Sequence, residues 1–530
     1  MPLPTTDQQW PPTDPTVQAN RADWDAWYSA NPERLEQRYM GRGQREAVDR
    51  PTQLRGGVVG RLARWFWGNP TPPGEKRSKL HVPLAGDIAR TSSELLFSEP
   101  PKLTGGNDTT QERLDQLTET GLHPTLLEGG ELCAAIGDTY LRVVWDEEVS
   151  ERPWIDAVAG DRAVPEFRYG KLAAVTFWTV LPNEDANDRR VFRHLEKHER
   201  GRIYHGLYEG SLGTLGKVRP LEEHPATAPL ATEVDKEGGL DTGAPDHLTA
   251  AHVPNVRPAR GWRHIPSAAY LGQSDYQGVE GLFDALDETM SSWMRDVQNG
   301  KGRVIVPDSM LQSLGPGQGA QWNEDQRIYA GLNMLPRPGD PNPLTVVQFD
   351  IRVTEHRDTC AELIEQAVRQ AGYSASTFGE TGEGTAVTAT EIRARQARSM
   401  ATRARKALYW GPAVADVTAA LLAVEAGFRF GVDGLDVSEP PKLEFQDSIS
   451  EGPAELASTA ELMNRAVAAS TETKVRLLNP DWDKTQVDAE VEKILKESGA
   501  LVADPAMTGA EGGGHAGFPS SGGGSGSERP

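Results

Sequence analysis

Cysteine is almost absent from this chain. Its 530 residues include only Cys133 and Cys360, far apart in the sequence. Such a pair excludes a disulfide framework and a cysteine-rich zinc site, and it is typical of a reducing compartment. The first residues show no signal pattern, and no apolar run approaches the roughly 20 residues of a membrane span. We therefore expect a protein that is made in the cytoplasm and has no contact with a membrane.

Basic residues are also in short supply. The chain has 77 acidic and 55 basic residues, which gives a formal net charge of −22. Proteins that hold nucleic acid by its phosphates are normally basic. If this protein meets DNA, we expect it to present a surface that does not adhere.

Recognisable catalytic motifs are missing as well. The segment 213–218 is not a phosphate-binding loop, because its first glycine is misplaced and no serine or threonine follows the lysine. The glycines within 379–384 lack the preceding strand of a dinucleotide fingerprint. His194 and His198 lie in strand-like sequence, where an ordinary surface pair is far more common than a metal site. We predict no catalytic residue, no metal site and no cofactor.

The N-terminal half changes in character along its length. Residues 1–18 are polar and rich in proline, so we expect them to be disordered. Helical spacing of apolar residues follows at 19–50 and 85–98. Between 131 and 215, short runs rich in β-branched and aromatic residues predict an antiparallel sheet. The polar, Pro- and Gly-rich residues 216–260 are expected to form a loop.

The C-terminal half is predominantly helical by the same criteria. Its predicted elements are a helix at 275–299, short strands within 301–348, a helix at 351–371, a Gly-containing loop at 374–387, a long Ala/Arg-rich helix at 388–426 with a kink at Pro412, shorter helices within 453–498, and a Gly/Ser-rich tail from about 502.

Carboxylates form rows on two of these helices. The row on helix 351–371 lies opposite its apolar face and consists of Glu355, Asp358, Glu362 and Glu365. A second row, on helix 275–299, consists of Glu280, Asp284, Asp287 and Glu288, which we expect to lie away from its apolar face. The ordinary interpretation is a solvated face. In a ring of subunits, however, each row becomes a stack of negative rings that repel a DNA backbone.

The long helix carries a row of the opposite sign. Its members are Arg395, Arg398, Arg405 and Lys406. The other face of this helix holds Ala397, Met400, Ala401, Ala404 and Leu408. The basic row could contact DNA or pair with an acidic face, and we favour pairing within or between subunits because acidic residues are in excess.

The order of these parts resembles that of the phage portal proteins, in which a long helix, a compact insertion, a second long helix, a loop and another long helix follow one another. Short stretches also resemble the portals of siphoviruses. They are WG at 67–68, HVPLAGDIAR at 81–90, SELLF at 93–97, GDTYLRVVW at 137–145, TATEIR at 388–393 and NPDW at 479–482. The resemblance covers roughly residues 20–500.

The resemblance implies an α+β portal fold with an α/β wing, a two-helix stem, a small α/β clip inserted between the stem helices, and a helical crown. The boundaries that follow are a disordered N-terminus at 1–18, the N-terminal wing at 19–272, stem helix 1 at 273–300, the clip at 301–348, stem helix 2 at 349–373, the tunnel loop at 374–387, the wing's long helix and return at 388–450, the crown at 451–501 and a flexible tail at 502–530.

The resemblance also implies two candidate sites. The tunnel loop, which would contact DNA, includes Ser376, Thr377, Phe378, Gly379, Glu380, Thr381, Gly382 and Glu383. In the clip, the candidate docking residues are Trp322, Arg327 and Tyr329. Aromatic residues in such polar surroundings often anchor interfaces. Filling a small core or a contact between subunits is an equally good interpretation of them.

Portal subunits form a ring, usually a dodecamer, at one capsid vertex, and double-stranded DNA passes through it. The resemblance therefore implies as partners the terminase motor, the major capsid and scaffolding proteins, and a head-completion or adaptor protein. It places the protein in the virion and, during assembly, in the host cytoplasm, with no enzymatic activity of its own.

Two other functions stay open at this point. The nearer alternative is another head component, such as an adaptor or a capsid protein, although adaptors are usually much shorter. The more distant one is a soluble hydrolase whose acidic site is formed from distant residues. Mass measurement distinguishes these, because an enzyme is expected as a small oligomer and a portal as a large closed ring.

Overall fold

The computed structural model describes most of the chain. The described residues are 3–41, 80–182, 190–299, 303–305, 312–313, 320–321, 345–347, 351–379, 389–446, 453–466, 468–479, 482 and 484–497. The chain divides into two compact units, Met1–Gln446 and Asp447–Pro530.

Helices and strands occur in groups along the chain. The helices are α1 (Pro15–Tyr28), α2 (Pro32–Gly41), α3 (Leu84–Phe97), α4 (Asp108–Leu117), α5 (His123–Ile136), α6 (Glu280–Asn299), α7 (Val353–Ala371), α8 (Ala389–Ala426), α9 (Pro453–Arg465), α10 (Thr471–Leu478) and α11 (Lys484–Glu497). The strands are β1 (Lys102–Thr104), β2 (Asp138–Val144), β3 (Trp154–Ala159), β4 (Ala163–Arg168), β5 (Lys171–Leu181), β6 (Val191–Glu199), β7 (Arg202–Ser211), β8 (Thr214–Arg219), β9 (Gly239–Asp241), β10 (Ala250–Pro254), β11 (Arg303–Ile305), β12 (Gln312–Ser313), β13 (Ala320–Gln321), β14 (Thr345–Val347) and β15 (Lys442–Glu444).

The mixture of helices and antiparallel sheets confirms the α+β class. The largest sheet has the order β4-β5-β6-β7-β8, with β9 paired to β7, and a second sheet has the order β10-β2-β3. Three two-stranded sheets join β1 to β15, β11 to β14 and β12 to β13. Each of these pairings is antiparallel. The segment between α6 and α7 therefore contains short strands, as the sequence predicts.

Two apolar clusters hold the helices of the first unit together. In one, Trp24 and Trp27 of α1 pack beside Phe283 of α6, with 5.4 Å between the Trp27 and Phe283 ring centroids. In the other, Phe97 of α3 meets Trp410 of α8 edge to face at 4.9 Å. Burial of large apolar side chains contributes about 1.5–3 kcal/mol each. These clusters therefore join α1, α3, α6 and α8 into one body.

The second unit is a short run of helices. Ser470 caps α10 by accepting a hydrogen bond from the backbone N–H of Thr473 at 3.2 Å. Ala460, Val475 and Val487 are the buried apolar residues of α9, α10 and α11. Leu462, Leu478 and Trp482 are large apolar residues of this unit that lie on its surface.

The N-terminal prediction is wrong for the residues that the structure describes. Residues 3–14 lie along the edge of the large sheet, where Tyr208 donates its hydroxyl to the carbonyl of Pro4 at 2.7 Å. Trp10 is buried between strands, with only 4% of its surface exposed. Asp14 caps α1 by accepting from Thr16 N at 2.8 Å. Proline-rich composition suggested disorder, but tertiary contacts of one tryptophan and a few polar groups order the segment.

The predicted loop at 216–260 also contains more structure than expected. Strand β8 extends to Arg219, and β10 pairs along the whole of its length with β2. Three and five residues are too few to show alternation in a sequence, so β9 and β10 gave no periodic signal. They are strands because neighbouring strands satisfy their backbone groups.

Helix α8 tests the prediction that the protein has no contact with a membrane. By length and composition alone, Gln396–Ala426 could cross a membrane, which corrects the expectation that no segment of the chain is apolar enough to do so. More than half of its most apolar window is buried inside the molecule. Val414, Val417 and Leu421 lie fully in the core. We therefore interpret α8 as a core helix of the first unit.

Candidate functional site

Helices α6 and α7 pack side by side through apolar residues. Val279, Leu286 and Ala367 are buried, and Trp293 and Leu363 are half-buried. All except Trp293 belong to the first apolar cluster or pack against it. The apolar stripes of the two helices therefore lie mostly inside the molecule.

Polar contacts add to this pairing near the end of α6. Trp293 stacks on His356 with 9° between the ring planes and 6.2 Å between centroids. Asp296 accepts from His356 Nε2 at 3.0 Å and from Arg352 Nη2 at 2.9 Å. These two partners hold the pKa of Asp296 below its ordinary value. The contacts fix the register of α6 against α7 close to the inserted segment.

The acidic row predicted on α6 is largely buried, which corrects the sequence analysis. Glu280 accepts from Trp24 Nε1 at 3.1 Å. Asp287 accepts from the backbone N–H of Val82 at 2.8 Å and lies 2.7 Å from His81 Nδ1. Glu280, Asp284 and Asp287 are each no more than 5% exposed. Residues distant in sequence cover this face, so these carboxylates bind α1 and the segment before α3 instead of facing solvent.

The acidic row on α7 is exposed, as its spacing predicts. Glu355, Asp358, Glu362 and Glu365 all face solvent. Two of them have weak cationic neighbours, with Arg357 3.2 Å from Asp358 and Arg369 3.7 Å from Glu365. Pairs this exposed contribute little free energy. The row therefore presents negative charge along most of the helix.

The chain that follows α7 is bound to α8. Helix α7 ends at Gly372, whose φ of 103° is a left-handed conformation that favours glycine. Gly372 O accepts from Thr402 Oγ1 at 2.5 Å. Ser399 Oγ accepts from Ser374 N at 2.9 Å and lies 2.8 Å from Thr377 Oγ1. Both Ser399 and Thr402 belong to α8, so this helix holds the start of the loop.

Phe378 braces this segment. Its ring lies 6.3 Å from the buried Tyr373 and packs against the first apolar cluster. Part of the loop expected at 374–387 is therefore regular, since Ala375–Phe378 form a short 3₁₀ turn beside α8. Serine and threonine hydroxyls make these contacts, and the sequence alone does not reveal their partners.

The basic row on α8 divides into two kinds of residue. Arg398 and Arg405 are exposed, and Arg405 donates to the carbonyl oxygen of Arg257. Lys406 is 3% exposed and forms a buried ion pair with Asp275 at 2.7 Å. This pair confirms the favoured pairing within a subunit, but Lys406 lies in the core and not beside Arg398 and Arg405 on an exposed face, because successive residues of a helix point in different directions. The side chain of Arg395 lies outside the described residues.

The face opposite this row is not a buried apolar face. Ala397, Ala401, Ala404 and Leu408 are exposed, and Leu408 exposes 73% of its surface. Met400 is half-buried. The N-terminal half of α8 thus presents small apolar residues and arginines to solvent, whereas its C-terminal half lies in the core.

Comparison with protein families finds a match in the second half of the chain. Residues 264–501 match the family described as "Phage portal protein, SPP1 Gp6-like". We call this matched part of the chain the portal domain. The match confirms the portal resemblance for a segment that contains α6, the inserted strands, α7, α8 and the helices of the second unit.

Solved structures of phage-like particles also show some similarity. One chain, from a structure titled "Virion of native gene transfer agent (GTA) particle", is 15% identical, with 84% of this chain and 98% of that chain covered and a TM-score of 0.36. Another, from "Neck of native GTA particle computed with C12 symmetry", is 16% identical over 82% and 96%, also with a TM-score of 0.36. Because these scores are below 0.5, the portal assignment rests on the family match alone. Comparison with curated proteins found no match.

Several predicted site residues of the portal domain lie outside the described part of the chain. They are Trp322, Arg327 and Tyr329 of the insertion, and Glu380, Thr381, Gly382 and Glu383 of the loop. Gly379, the last described residue before them, has a φ of 83°. Ser376, Thr377 and Phe378 lie at the α8 contact described above.

The histidines singled out in the sequence lie outside the portal domain, in the large sheet. His194 Nε2 is 3.2 Å from His205 Nδ1, and the two rings are nearly parallel. His198 is fully buried between Glu196 and Thr249, at 2.7 Å from each. The expected surface pair is thus part of a largely buried cluster. Within the described part of the chain, no group of three or more potential ligands is arranged to hold a metal ion.

Charge in this cluster is controlled by burial. Burial lowers the pKa of His205 to about 4 and also lowers the pKa of His194. Burial alone would raise the pKa of Glu196, but Arg142 and the neighbouring histidines hold it well below its usual range. Arg142 Nη1 donates to Glu196 at 2.7 Å. The cluster therefore contains an ion pair between Arg142 and Glu196, and burial disfavours the protonated forms of His194 and His205.

The sequence analysis did not identify three buried polar residues that connect α6, α7 and α8. They are Asp275, Tyr373 and Ser399. All three are nearly or fully buried, and each contacts α8 or belongs to it. A single polar residue near a helix end or within a helix carries no periodic signal of its own. Only the packing of α6, α7 and α8 brings these residues together.

Proposed function

We propose that this chain is the portal subunit of a tailed-phage-like particle, located in the virion at one capsid vertex. The family match over residues 264–501 carries this proposal. It is supported by the arrangement of α6, α7 and α8, which follows the helix–insertion–helix–loop–helix order of portals. The chain would act as a conduit for double-stranded DNA during packaging and ejection.

In this proposal, the subunits form a closed ring, expected as a dodecamer, with α7 along the channel. The solvent exposure of the acidic row on α7 supports this placement. Each of its four carboxylates is then repeated once per subunit around the axis. Stacked negative rings repel phosphates, and the overall charge of −22 has the same sign. DNA would slide past such a wall without being retained.

In this proposal, the start of the loop after α7 would be held in place beside the channel. Residues 374–379 are bound to α8 and, through Phe378, to the first apolar cluster, so the loop would begin at a fixed point. We propose that Glu380 and Glu383 keep the loop from adhering to phosphate. In this proposal, the part of the loop that meets DNA begins after Gly379.

The insertion between α6 and α7 would dock the terminase motor and later a head-completion or adaptor protein. The candidate residues are Trp322, Arg327 and Tyr329, and their support comes from the sequence alone. Described strands at both ends of the insertion, β11 and β14, pair with each other in antiparallel fashion. This pairing brings the two ends of the insertion together.

The exposed arginines of α8 would contribute to contacts between subunits. Exposed alanines lie near Arg398 and Arg405 on the surface of α8. Their small side chains would allow another helix to approach closely. An acidic surface of the neighbouring subunit is the favoured partner because acidic residues are in excess. Capsid and scaffolding proteins would meet other parts of the ring.

Purified protein tests the proposal directly. We expect negative-stain images to show a ring with a central hole, and mass measurement to give a closed oligomer of about twelve subunits. We also expect no ATP hydrolysis, since the motor supplies that activity. A species that remains monomeric at high concentration in several salts would contradict the ring. ATP turnover that survives further purification would favour an enzyme over a structural component.

A further inference from the structure

Three polar side chains on one face of α8 bind the chain on both sides of the α6–α7 pair. They are Ser399, Thr402 and Lys406, which are three and four residues apart and so share one helix face. We call this set the anchor face. Ser399 is fully buried, Thr402 is half-buried and Lys406 is buried. Each of them contacts a residue in the segment 372–377.

Lys406 makes the most complete set of contacts. Its ammonium donates to Ser92 Oγ at 2.6 Å, to Asp275 Oδ2 at 2.7 Å and to Tyr373 Oη at 2.9 Å. An ammonium has three donors, so all of them are satisfied. Asp275 also accepts from Tyr373 Oη at 2.7 Å and from Asn255 Nδ2 at 2.9 Å. The charge is therefore fully paired and hydrogen-bonded inside the protein.

The partners of Lys406 come from both ends of the helix pair. Asp275 lies shortly before α6, and Tyr373 lies two residues after α7. Ser92 belongs to α3. One side chain thus joins the entry to α6, the exit from α7 and the body of the first unit at a single point.

Stability alone is a poor explanation for this arrangement. A buried ion pair is often no more stabilising than apolar residues of similar volume, because both charges lose their hydration. Directional hydrogen bonds, in contrast, allow only one position for each partner. The close packing at Gly372 also restricts the position of this segment, because a Cβ there would lie 3.1 Å from Thr402 Oγ1.

We infer that the anchor face is a positioning site, which fixes the segment 372–379 and both ends of the α6–α7 pair relative to α8. Its importance for DNA passage rests on the proposed function, in which this segment carries the channel loop. The anchor face then sets where the loop begins, while the residues after Gly379 make the contact.

Amide hydrogen exchange of the full chain tests the positioning itself. Two variants disturb the anchor face, Lys406→Met and Ser399→Ala. A matched control is Arg113→Met, because Arg113 forms another buried ion pair with α8, to Glu425 at 2.6 Å. We expect both anchor variants to increase exchange in peptides covering 372–379 by about tenfold or more, as the loss of a buried hydrogen bond predicts. The control should leave exchange there unchanged relative to the rest of the unit.

Four results would overturn the inference or separate it from the proposed function. Unchanged exchange at 372–379 in both anchor variants, or an equal increase in the control, would show that the anchor face does not position the segment. If Lys406→Met does not fold, Ser399→Ala decides the question because it removes a single hydroxyl.

In assembled particles, we expect the anchor variants to alter the rate of DNA packaging by severalfold. Increased exchange with unaltered packaging would exclude a positioning role in DNA passage, whereas an unaltered chain that forms no ring would refute only the proposed function.

Discussion

Acid should destabilise the first unit through the buried histidines of the large sheet. An unfolded histidine has a pKa of about 6.5, whereas burial lowers the pKa of His205 to about 4 in the folded protein. At pH values between these two pKa values, His205 is protonated in the unfolded chain but neutral in the folded chain. The free energy of unfolding therefore falls as the pH drops below about 6.5 and stops falling below about 4.

The size of this effect follows from the two pKa values. Between pH 7 and pH 5, His205 alone should lower the free energy of unfolding by about 2 kcal/mol, at about 1.4 kcal/mol per pKa unit. Of its charged neighbours, Glu196 opposes the shift, while Arg142, His194 and His198 strengthen it. His194, whose pKa is also lowered, adds to the loss in the same direction.

Replacement of one histidine isolates its share. His205→Phe keeps an aromatic ring but removes the titrating group, at a cost of about 1 kcal/mol at pH 7 for the lost contact with His194. We expect the difference in stability between pH 7 and pH 5 to shrink by about 2 kcal/mol in this variant. Urea unfolding at both pH values measures it, with the exposed His264→Gln as the control. An unchanged pH dependence in His205→Phe would refute the assignment of acid sensitivity to this site.

Three further predictions concern the portal domain. Leu286→Asp should lower the free energy of unfolding by at least about 2–5 kcal/mol and prevent ring formation, because it removes a buried apolar side chain and buries a charge. Thermal unfolding and negative-stain imaging measure these effects. Val297→Asp, at a more exposed position of α6, is the control and should change neither. Changing all four carboxylates of the acidic row on α7 to their amides should leave stability within about 0.5 kcal/mol but increase retention of DNA by rings at low salt, and equal retention would contradict a channel position. Lysine in place of both Glu380 and Glu383 should slow or stall DNA packaging while rings still assemble, and normal packaging rates would remove the loop from the channel.

The sequence by itself predicted the regular elements that have a long periodic pattern. The predicted helices 275–299, 351–371 and 388–426 correspond to α6 at Glu280–Asn299, α7 at Val353–Ala371 and α8 at Ala389–Ala426. The antiparallel sheet predicted within 131–215 corresponds to strands β2 to β7. Such patterns are local, because each residue's place on a helix or strand follows from its neighbours in the chain. The exposed acidic row on α7 could be predicted for the same reason.

Only the tertiary structure decided which polar residues are buried. The carboxylates of α6 looked like a solvated face, yet Glu280 and Asp287 are covered by α1 and the segment before α3. Lys406 looked like part of a basic surface, yet it meets Asp275 and Tyr373 in the core. A helix pattern gives the direction of a side chain relative to its own axis, but the neighbour on that side comes from a distant part of the chain. Burial, pairing and the position of the loop base therefore depend on long-range packing, which a single sequence does not encode in any local period.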